Sequence, residues 1–456
     1  MAAEREFDVV VIGAGPAGEI AAGRLAKGGL STALVEQHLV GGECSFYACM
    51  PSKALLRPTE LLAEVKRVPG IPSSGGLEVE TVLARRDEVI HDLDDSEQLP
   101  WLEERGIELL RGEGRLDGER RVRVGDETLT ARRAVVIATG STTAMPPIEG
   151  LDEVGAWSNR EVTTAKSAPR TLAILGGGVV GVEMAQAWQS LGSQVTVVEA
   201  AERLLAREEP FASEQVTDAL REGGVDVRLG AKVTAASRDA DAGSVSLELE
   251  GGDSIEAEHL LVAVGRRPSV EGIGLESIGV EADGPIEVDD RMRVGGRDWL
   301  YAVGDVNGRS PLTHMGKYQA RAAAANILGG EATATRDGVV SPRVIFTDPE
   351  VAAVGHTLAS AKEAGIDASA VDVSTAGNAG ASFHGRGAEG TSRLVIDEAR
   401  RVVAGATFVG PDANELLHAA TIAVVGEVPL DLLFEAVPAF PTRNEIWLNL
   451  LEKYGL

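Results

Sequence analysis

A chain of 456 residues is too long for one ordinary domain, and 54 glycines with only 4% aromatic residues suit a fold with many tight strand-to-helix turns. The formal charge of −27, from 70 acidic against 43 basic residues, argues against nucleic acid and an anionic membrane surface as partners, because both select a positive face. No apolar run reaches the length of a membrane span.

Residues 8–12 read as a continuous apolar strand, which leaves no room for a secretory leader and makes a cytoplasmic location the expectation. Gly13-Ala14-Gly15-Pro16-Ala17-Gly18 follows at once, with a helix expected over 19–27 and a second strand over 32–36. In that strand-turn-helix-strand setting the glycines let the backbone approach a pyrophosphate seated on the helix N-terminus. Glu36, at the far end, can accept a hydrogen bond from a ribose hydroxyl.

Both cysteines of the chain lie in Gly41-Gly42-Glu43-Cys44-Ser45-Phe46-Tyr47-Ala48-Cys49-Met50-Pro51-Ser52-Lys53, five positions apart, and good helix formers follow. Two sulfurs so placed can bridge only if the first helical turn is loosened. The loop they would close is very small, so the bridge would add little by chain entropy. A bridge of little structural use is a candidate for one that is broken and remade, and a helix N-terminus favours a thiolate. The alternative is two buried, inert thiols. A reducing cytoplasm keeps them reduced unless a catalytic cycle oxidises them.

Residues 58–105 read as mostly helical and charged, interrupted over 69–76, and carry no assigned chemistry. Short strands are expected over 108–116 and 121–129, then a buried strand over 134–140 ending in Thr139-Gly140. Met145-Pro146-Pro147 marks a linker. A second unit of the first kind follows: a strand over 171–175, Gly176-Gly177-Gly178-Val179-Val180-Gly181, a helix over 182–191, and a strand over 194–199 ending in Glu199. Glu199 would accept from a free 2′-hydroxyl and repel a 2′-phosphate. Like charges at about 4 Å and an effective dielectric of about 20 cost on the order of 4 kcal/mol, so NADH is expected over NADPH. Arg203 and Arg207 lie close after it and would soften the preference. Residues 260–268 close the unit with Gly265-Arg266-Arg267-Pro268, and a strand over 299–305 ends in Gly304-Asp305, where open α/β sheets bind ligands. From about residue 337 short strands alternate with helices and no phosphate loop occurs, as in a cap or dimer interface.

With these pieces placed, the sequence resembles the pyridine nucleotide-disulfide oxidoreductases, the flavoprotein family of glutathione reductase, dihydrolipoamide dehydrogenase and mercuric reductase, over nearly its whole length. The family's G-G-x-C-x4-C-x-P-S-K segment stands here as residues 41–53, and its Ala-Thr-Gly and Gly-Asp flavin segments as Ala138-Thr139-Gly140 and Gly304-Asp305-Val306. The resemblance implies an α/β fold with two Rossmann-like FAD- and NAD(P)-binding domains and a C-terminal α+β dimerisation domain. The expected boundaries are 1–148 (FAD, first part), 149–268 (NAD(P)H), 269–336 (central FAD segment) and 337–456 (dimerisation). Cys49 is then the sulfur beside the flavin, Cys44 the interchange thiol, and Lys53 the lysine near the flavin that pairs with Glu183. Gly13, Gly15, Pro16, Ala17, Gly18, Glu36, Gly42, Lys53, Gly114, Thr139, Gly140, Gly304, Asp305 and Thr313, with Gly176, Gly178, Val180, Gly181, Glu199, Gly265 and Arg266, form the implied cofactor-binding set. The implied protein is a homodimer that takes electrons from NADH through FAD to a small-molecule acceptor, without a metal.

The family's disulfide reductases carry His-Pro-Thr-x-x-Glu near the C-terminus, and here the segment is Phe440-Pro441-Thr442-Arg443-Asn444-Glu445. Glu445 is kept, but Phe440 transfers no proton. Phe also occurs there in the ketopropyl-coenzyme M carboxylase branch, which differs in the acid. His314 and His384 read as ordinary structural or surface residues. Mercuric reductases deliver metal through a C-terminal cysteine pair, and this chain has no third cysteine. Glu43 stands where the family often has Thr, near the expected pyrophosphate. The acceptor is therefore expected to be an unusual disulfide, a quinone or a metal ion. The alternatives are a flavin-only quinone or electrophile reductase, a dihydrolipoamide dehydrogenase-like or mercuric reductase-like enzyme, and a low-turnover redox-sensing flavoprotein.

Overall fold

Strands buried on both faces read as unbroken apolar runs, and Val9, Val10, Val11 and Ile12 are all buried. They belong to the strand Ala3–Ile12 of a computed structural model that describes residues 3–456 apart from 73, 74, 240, 242 and 282. Of the interruption expected over 69–76, residues 73 and 74 lie outside the described residues. The chain forms two compact units. The first comprises Met1–Pro51, Asp87–Ala144 and Arg266–Gly338; the second comprises Ser52–Arg86, Met145–Gly265 and Val339–Leu456.

In the first unit the sheet runs Ile107–Arg111, Thr32–Glu36, Ala3–Ile12, Glu127–Ile137, Arg121–Val124, Gly114–Leu116, and Leu300–Ala302 also pairs with Glu127–Ile137. Val9 is opposite Thr32 on one side and Ala134 on the other, both in parallel register. The helix Pro16–Lys27 buries Gly18, Ala21, Ala22 and Leu25. It packs against the helix Thr313–Ile327 through small residues: a Cβ on Gly316 would lie 3.3 Å from that of Ala17.

Two expected strands are corrected. The run 108–116 is two strands, because Gly112 turns at φ 144 between Ile107–Arg111 and Gly114–Leu116. The run 121–129 is a hairpin turned at Gly125 with φ 57, and its second strand, Glu127–Ile137, continues into the strand expected to begin at 134. A glycine at positive φ ends a strand without ending the apolar pattern on either side of it. The helices expected from 19 and 182 begin earlier, at Pro16 and Val179, because the last residues of each phosphate turn are already the first helical turn.

The second unit contains a four-stranded parallel sheet in the order Asp226–Arg228, Gln194–Val198, Thr171–Leu175, His259–Val262. Trp188, on the helix Val179–Ser190, is fully buried in its core. The same unit holds an antiparallel sheet in the order Arg343–Ile345, Glu350–Gly355, Val402–Gly410, Thr391–Asp397, Ala368–Ser374. The helices Ala413–Val425 and Glu445–Tyr454 cover it, with Leu416, Phe408 and Trp447 in one cluster. Ala368–Ser374 and Glu445–Tyr454 add to the strands and helices expected there; the strand is half-buried along most of its length, which weakens its apolar signal. The mixed α/β architecture is the expected one.

Candidate active site

The two cysteines sit on either side of a broken helix. Gly42–Phe46 forms one short helix, Tyr47 breaks it at φ −133, and Cys49 opens the long helix Cys49–Arg67. This is the loosened turn that two sulfurs five positions apart require. Both thiols are half-buried and unlinked. Cys49 Sγ lies 3.5 Å from Thr313 Oγ1. Cys49 and Thr313 are among the groups that act on the Cys44 thiol. Its pKa is pushed far up, first by the hydrogen bond to Cys49, then by burial and by the charge on Cys49, against which Thr313 and Lys317 pull down.

The same unit carries the first phosphate loop. Gly13 turns at φ 100, and a Cβ there would meet Ala138 O at 2.4 Å; one on Gly18 would meet Gly13 O at 1.9 Å. These positions therefore admit only glycine. Around Gly15 a Cβ would meet nothing, and the helix beginning at Pro16 has no side-chain cap, so its N–H groups face a space that a pyrophosphate fits. Glu36 accepts from the Ala14 N–H through Oε2 and from the His38 N–H through Oε1, both at 2.7 Å. The cysteine segment is laid on this loop: Gly41 N–H donates to Ala14 O at 2.8 Å, and a Cβ on Gly42 would come within 2.8 Å of Gly15 Cα.

Several of the implied flavin residues of this unit are fixed by short hydrogen bonds. Thr139 Oγ1 donates to Ser269 O at 2.7 Å, and Gly140 turns at φ 73 beside open space. Ser141 Oγ donates to Asp305 Oδ2 at 2.6 Å, and Gly304 N–H donates to Gln319 Oε1 at 2.8 Å. Gly114 lies against the core strand, where a Cβ would be 2.9 Å from Ile12 Cγ2. Arg266 donates through Nε to Ser141 Oγ at 2.7 Å and lies 3.9 Å from Glu43. The carboxylate of Glu43 thus comes with its own counter-charge. The open cradle at Gly15, the uncapped helix and the bare Gly140 fit a dinucleotide such as FAD.

In the second unit the loop is rebuilt. Gly176 turns at φ 110 with a would-be Cβ 2.5 Å from Ala263 O, Gly181 is 2.0 Å from Gly176 O, and Gly178 is open. Val180 lies half-buried in the first turn of the following helix, and Gly265 turns at φ 136. Glu199 accepts from the Gly177 N–H at 2.6 Å and the Ala201 N–H at 2.8 Å. Arg203 donates to the carbonyls of Glu208 and Ala206 at 2.9 and 2.6 Å, which ties its guanidinium to its own loop. Lys53 Nζ pairs with Glu183 Oε2 at 2.7 Å, and Glu183 Oε1 also accepts from Phe346 N–H. Glu183 is almost wholly buried, while Lys53 keeps about a third of its side chain accessible.

The C-terminal segment of this unit presents Phe440 to solvent, 76% exposed. Glu445 turns back to accept from Gly380 N–H at 3.4 Å. His384 Nδ1 lies 3.3 Å from Asp412, and with Glu64 these form a group whose ligand atoms fall within 4.8 Å of one another; Arg443 stands 3.9 Å from Asp412, which disfavours a cation there. Ser141, which joins Asp305 and Arg266, was not among the expected site residues. Its place directly after Gly140 was the signal that could have found it.

The family model described as "Pyridine nucleotide-disulphide oxidoreductase" matches residues 7–323, and its dimerisation domain matches 341–450. A dihydrolipoyl dehydrogenase of Chlamydia muridarum is 34% identical over 97% of this chain and 95% of its own length. A mercuric reductase of Bacillus cereus is 31% identical over 96% of this chain and 70% of its own. Among solved structures, the HOCl-induced flavoprotein disulfide reductase RclA from Escherichia coli is 27% identical with a TM-score of 0.86, covering 98% of this chain and 99% of that one. Its Cu(II) complex matches with the same TM-score at 26% identity, covering 98% and 99%. The loops, the cysteine segment and these matches agree: the chain belongs to the pyridine nucleotide-disulphide oxidoreductases, enzymes that bind FAD and use NAD(P)H, and it carries their dimerisation domain.

Proposed function

We propose that this chain is a homodimeric, cytoplasmic, FAD-dependent oxidoreductase that takes electrons from NADH in preference to NADPH and passes them through the Cys44–Cys49 pair to a small-molecule acceptor. The observation that carries the reading is the placement of the cysteine segment: Gly41 and Gly42 lie on the first glycine loop, and Cys49 Sγ lies 3.5 Å from Thr313 Oγ1 in the same unit. Segments 1–148 and 269–336 are assigned to FAD, 149–268 to NAD(P)H and 337–456 to the dimer.

Bound FAD supplies a two-electron relay between nicotinamide and sulfur. Glu36 and the N–H groups after Gly13 hold the first dinucleotide, and Glu199 with Gly176, Gly178 and Gly181 holds the second. Two electrons and two protons convert the Cys44–Cys49 disulfide into two thiols. By the family resemblance Cys49 is the sulfur beside the flavin and Cys44 the one that meets the acceptor, and Cys49 together with burial holds the Cys44 thiol well above its ordinary range. Lys53, fixed by Glu183, holds a cation in place. Phe440, at the position of the family's acid–base histidine, gives no proton. General acid–base help is typically a factor of about 10²–10⁴, so turnover of ordinary disulfides is expected to be slow.

A second reading, a soft metal ion as acceptor, is favoured by two adjacent thiols, which suit such ions, and by the copper complex of the E. coli relative. Anaerobic titration with NADH should raise a long-wavelength thiolate-to-flavin absorbance band that Cys49→Ser abolishes; a parent protein without the band would refute the reading. A screen of disulfides, quinones and Cu(II), repeated on Phe440→His, then assigns the acceptor: a disulfide rate at least tenfold higher in the variant ties the substrate class to the missing imidazole.

A further inference from the structure

We propose that Gln319 is a positioning residue of the flavin site: its buried amide holds the backbone of the Gly304-Asp305 turn, and the Asp337–Arg309 pair holds the amide. The proposal rests on the assignment of that turn to FAD.

Gln319 lies on the buried face of the helix Thr313–Ile327, where the other buried residues are alanines, Gly316, Met315 and Ile327. It is fully buried. A buried amide is costly unless its polar atoms are paired, and here they are. Its Oε1 accepts from Gly304 N–H at 2.8 Å and from Asn307 Nδ2 at 2.9 Å. Its Nε2 donates to Asp337 Oδ2 at 2.8 Å. Two N–H donors on one side and a carboxylate on the other fix which end of the amide is which. The Asp337 carboxylate is itself fully buried, and its second oxygen accepts from Arg309 at 2.7 Å. Arg309 also donates to Ala334 O at 3.0 Å.

This amide decides where Asp305 sits. Gly304 takes φ 80 and ψ −158, a conformation that favours glycine. A Cβ on Gly304 would lie 3.3 Å from that of Ala17, and one on Gly316 would lie 3.2 Å from Gly304 Cα. The turn is therefore seated between the helix of the first phosphate loop and Thr313–Ile327. Asn307 ties its other end: Nδ2 also donates to Ala302 O, and Oδ1 accepts from Arg309 N–H, both at 3.1 Å. Between these anchors the Asp305 carboxylate lies 2.6 Å from Ser141 Oγ. An acid fixed in backbone and side chain is pre-organised to accept from a cofactor hydroxyl. Without Gln319, Gly304 N–H and Asn307 Nδ2 lose an acceptor, and the turn loses its register with the phosphate loop. Glutamate would not serve, because an oxygen would replace the amide nitrogen that faces Asp337, and two carboxylates that share a site do not both ionise.

The test is the rate at which diluted holoenzyme releases flavin, read by flavin fluorescence at a series of pH values and without turnover. Gln319→Met keeps the bulk of the side chain and removes the acceptor, so it should release flavin about tenfold faster than the parent. Gln319→Glu gives a reading that a space-filling role would not. It should hold flavin like the parent at about pH 5.5, where one shared proton replaces the lost N–H, and release it about tenfold faster at about pH 8, where both carboxylates ionise. Adding Asp337→Asn to Gln319→Glu should flatten that profile, because an amide again faces a carboxylate. Tm and far-ultraviolet circular dichroism confirm folding, and the Gln319→Glu profile decides if the Met variant does not fold. A parent protein that binds no flavin refutes the FAD assignment and the proposal with it. A flavin-loaded parent whose two single variants release flavin at the parental rate across that pH range overturns the proposal alone. So does a pH dependence in Gln319→Glu that persists when Asp337→Asn is added.

Discussion

The two phosphate loops of this chain are close copies of one another in backbone and unlike in what surrounds them. Gly13 and Gly176 take nearly the same positive φ against a carbonyl of the neighbouring strand. Gly18 and Gly181 close the helix onto the loop at 1.9 and 2.0 Å, and Glu36 and Glu199 each bind one loop N–H and one N–H two residues further on. The first loop is overlaid by Gly41, Gly42 and the cysteines, and its helix carries Glu19. The second has Val182 in place of Glu19, and its helix carries buried Glu183, which holds Lys53. The shared part is what any dinucleotide needs: glycine where a side chain would strike backbone, an uncapped helix, an acid at the strand end. The unshared part is where the chemistry is specified.

The glycines offer the strongest way to break the comparison. Gly18→Ala and Gly181→Ala each put a methyl into a backbone carbonyl, and overpacking of that kind costs about 1–3 kcal/mol or more. If the loops serve different dinucleotides, Gly18→Ala should purify with little flavin. Gly181→Ala should keep its flavin and need at least tenfold more NADH for half-maximal reduction, read by absorbance and stopped flow. Loss of flavin from both variants would mean that the loops are not separate sites.

A smaller effect is expected at the acids. Glu199→Ala removes a charge that would face a 2′-phosphate, and it leaves two N–H groups without a carboxylate at about 1–3 kcal/mol. The ratio of NADPH to NADH efficiency should rise about tenfold or more, while Glu36→Ala should leave that ratio unchanged and lower flavin retention. Steady-state rates with both nucleotides sharpen the assignment.

The smallest effect concerns pH. Because the folded Glu19 carboxyl is pushed up to about 7 from its ordinary 4.5, the folded chain binds more protons than the unfolded one between those values. Stability therefore falls as pH rises across that window and is level in this respect above it. Glu19→Gln should flatten that part of the Tm–pH curve by a few degrees, and Val182→Ala, though destabilising as a buried truncation, should leave its slope unchanged.

Much of this site was legible in the chain itself. The spacing of Gly13-Ala14-Gly15-Pro16-Ala17-Gly18 before a helix and ahead of Glu36 is a local constraint, and so are its repeat at Gly176 and the pair Cys44 and Cys49 beside Gly42. Where glycine punctuation interrupts an apolar run, as at Gly112 and Gly125, hydrophobicity alone misjudged the strand, because a turn can be made without a polar residue. Arg266 was expected only as part of the cofactor set; its approach to Ser141 and Glu43 depends on two strands, Arg266–Pro268 and Ser141–Thr143, that pair antiparallel although far apart in sequence.

The sequence by itself determined the family, the two glycine turns and the placement of the two cysteines at a broken helix, because each is a short motif whose geometry follows from neighbouring residues. Only the tertiary structure decided that Thr313 meets Cys49, that Arg266 answers Glu43, and that Arg203 is tied to its own loop. Those facts depend on which helices and strands pack side by side, and burial and charge, unlike a glycine turn, are set by neighbours distant along the chain.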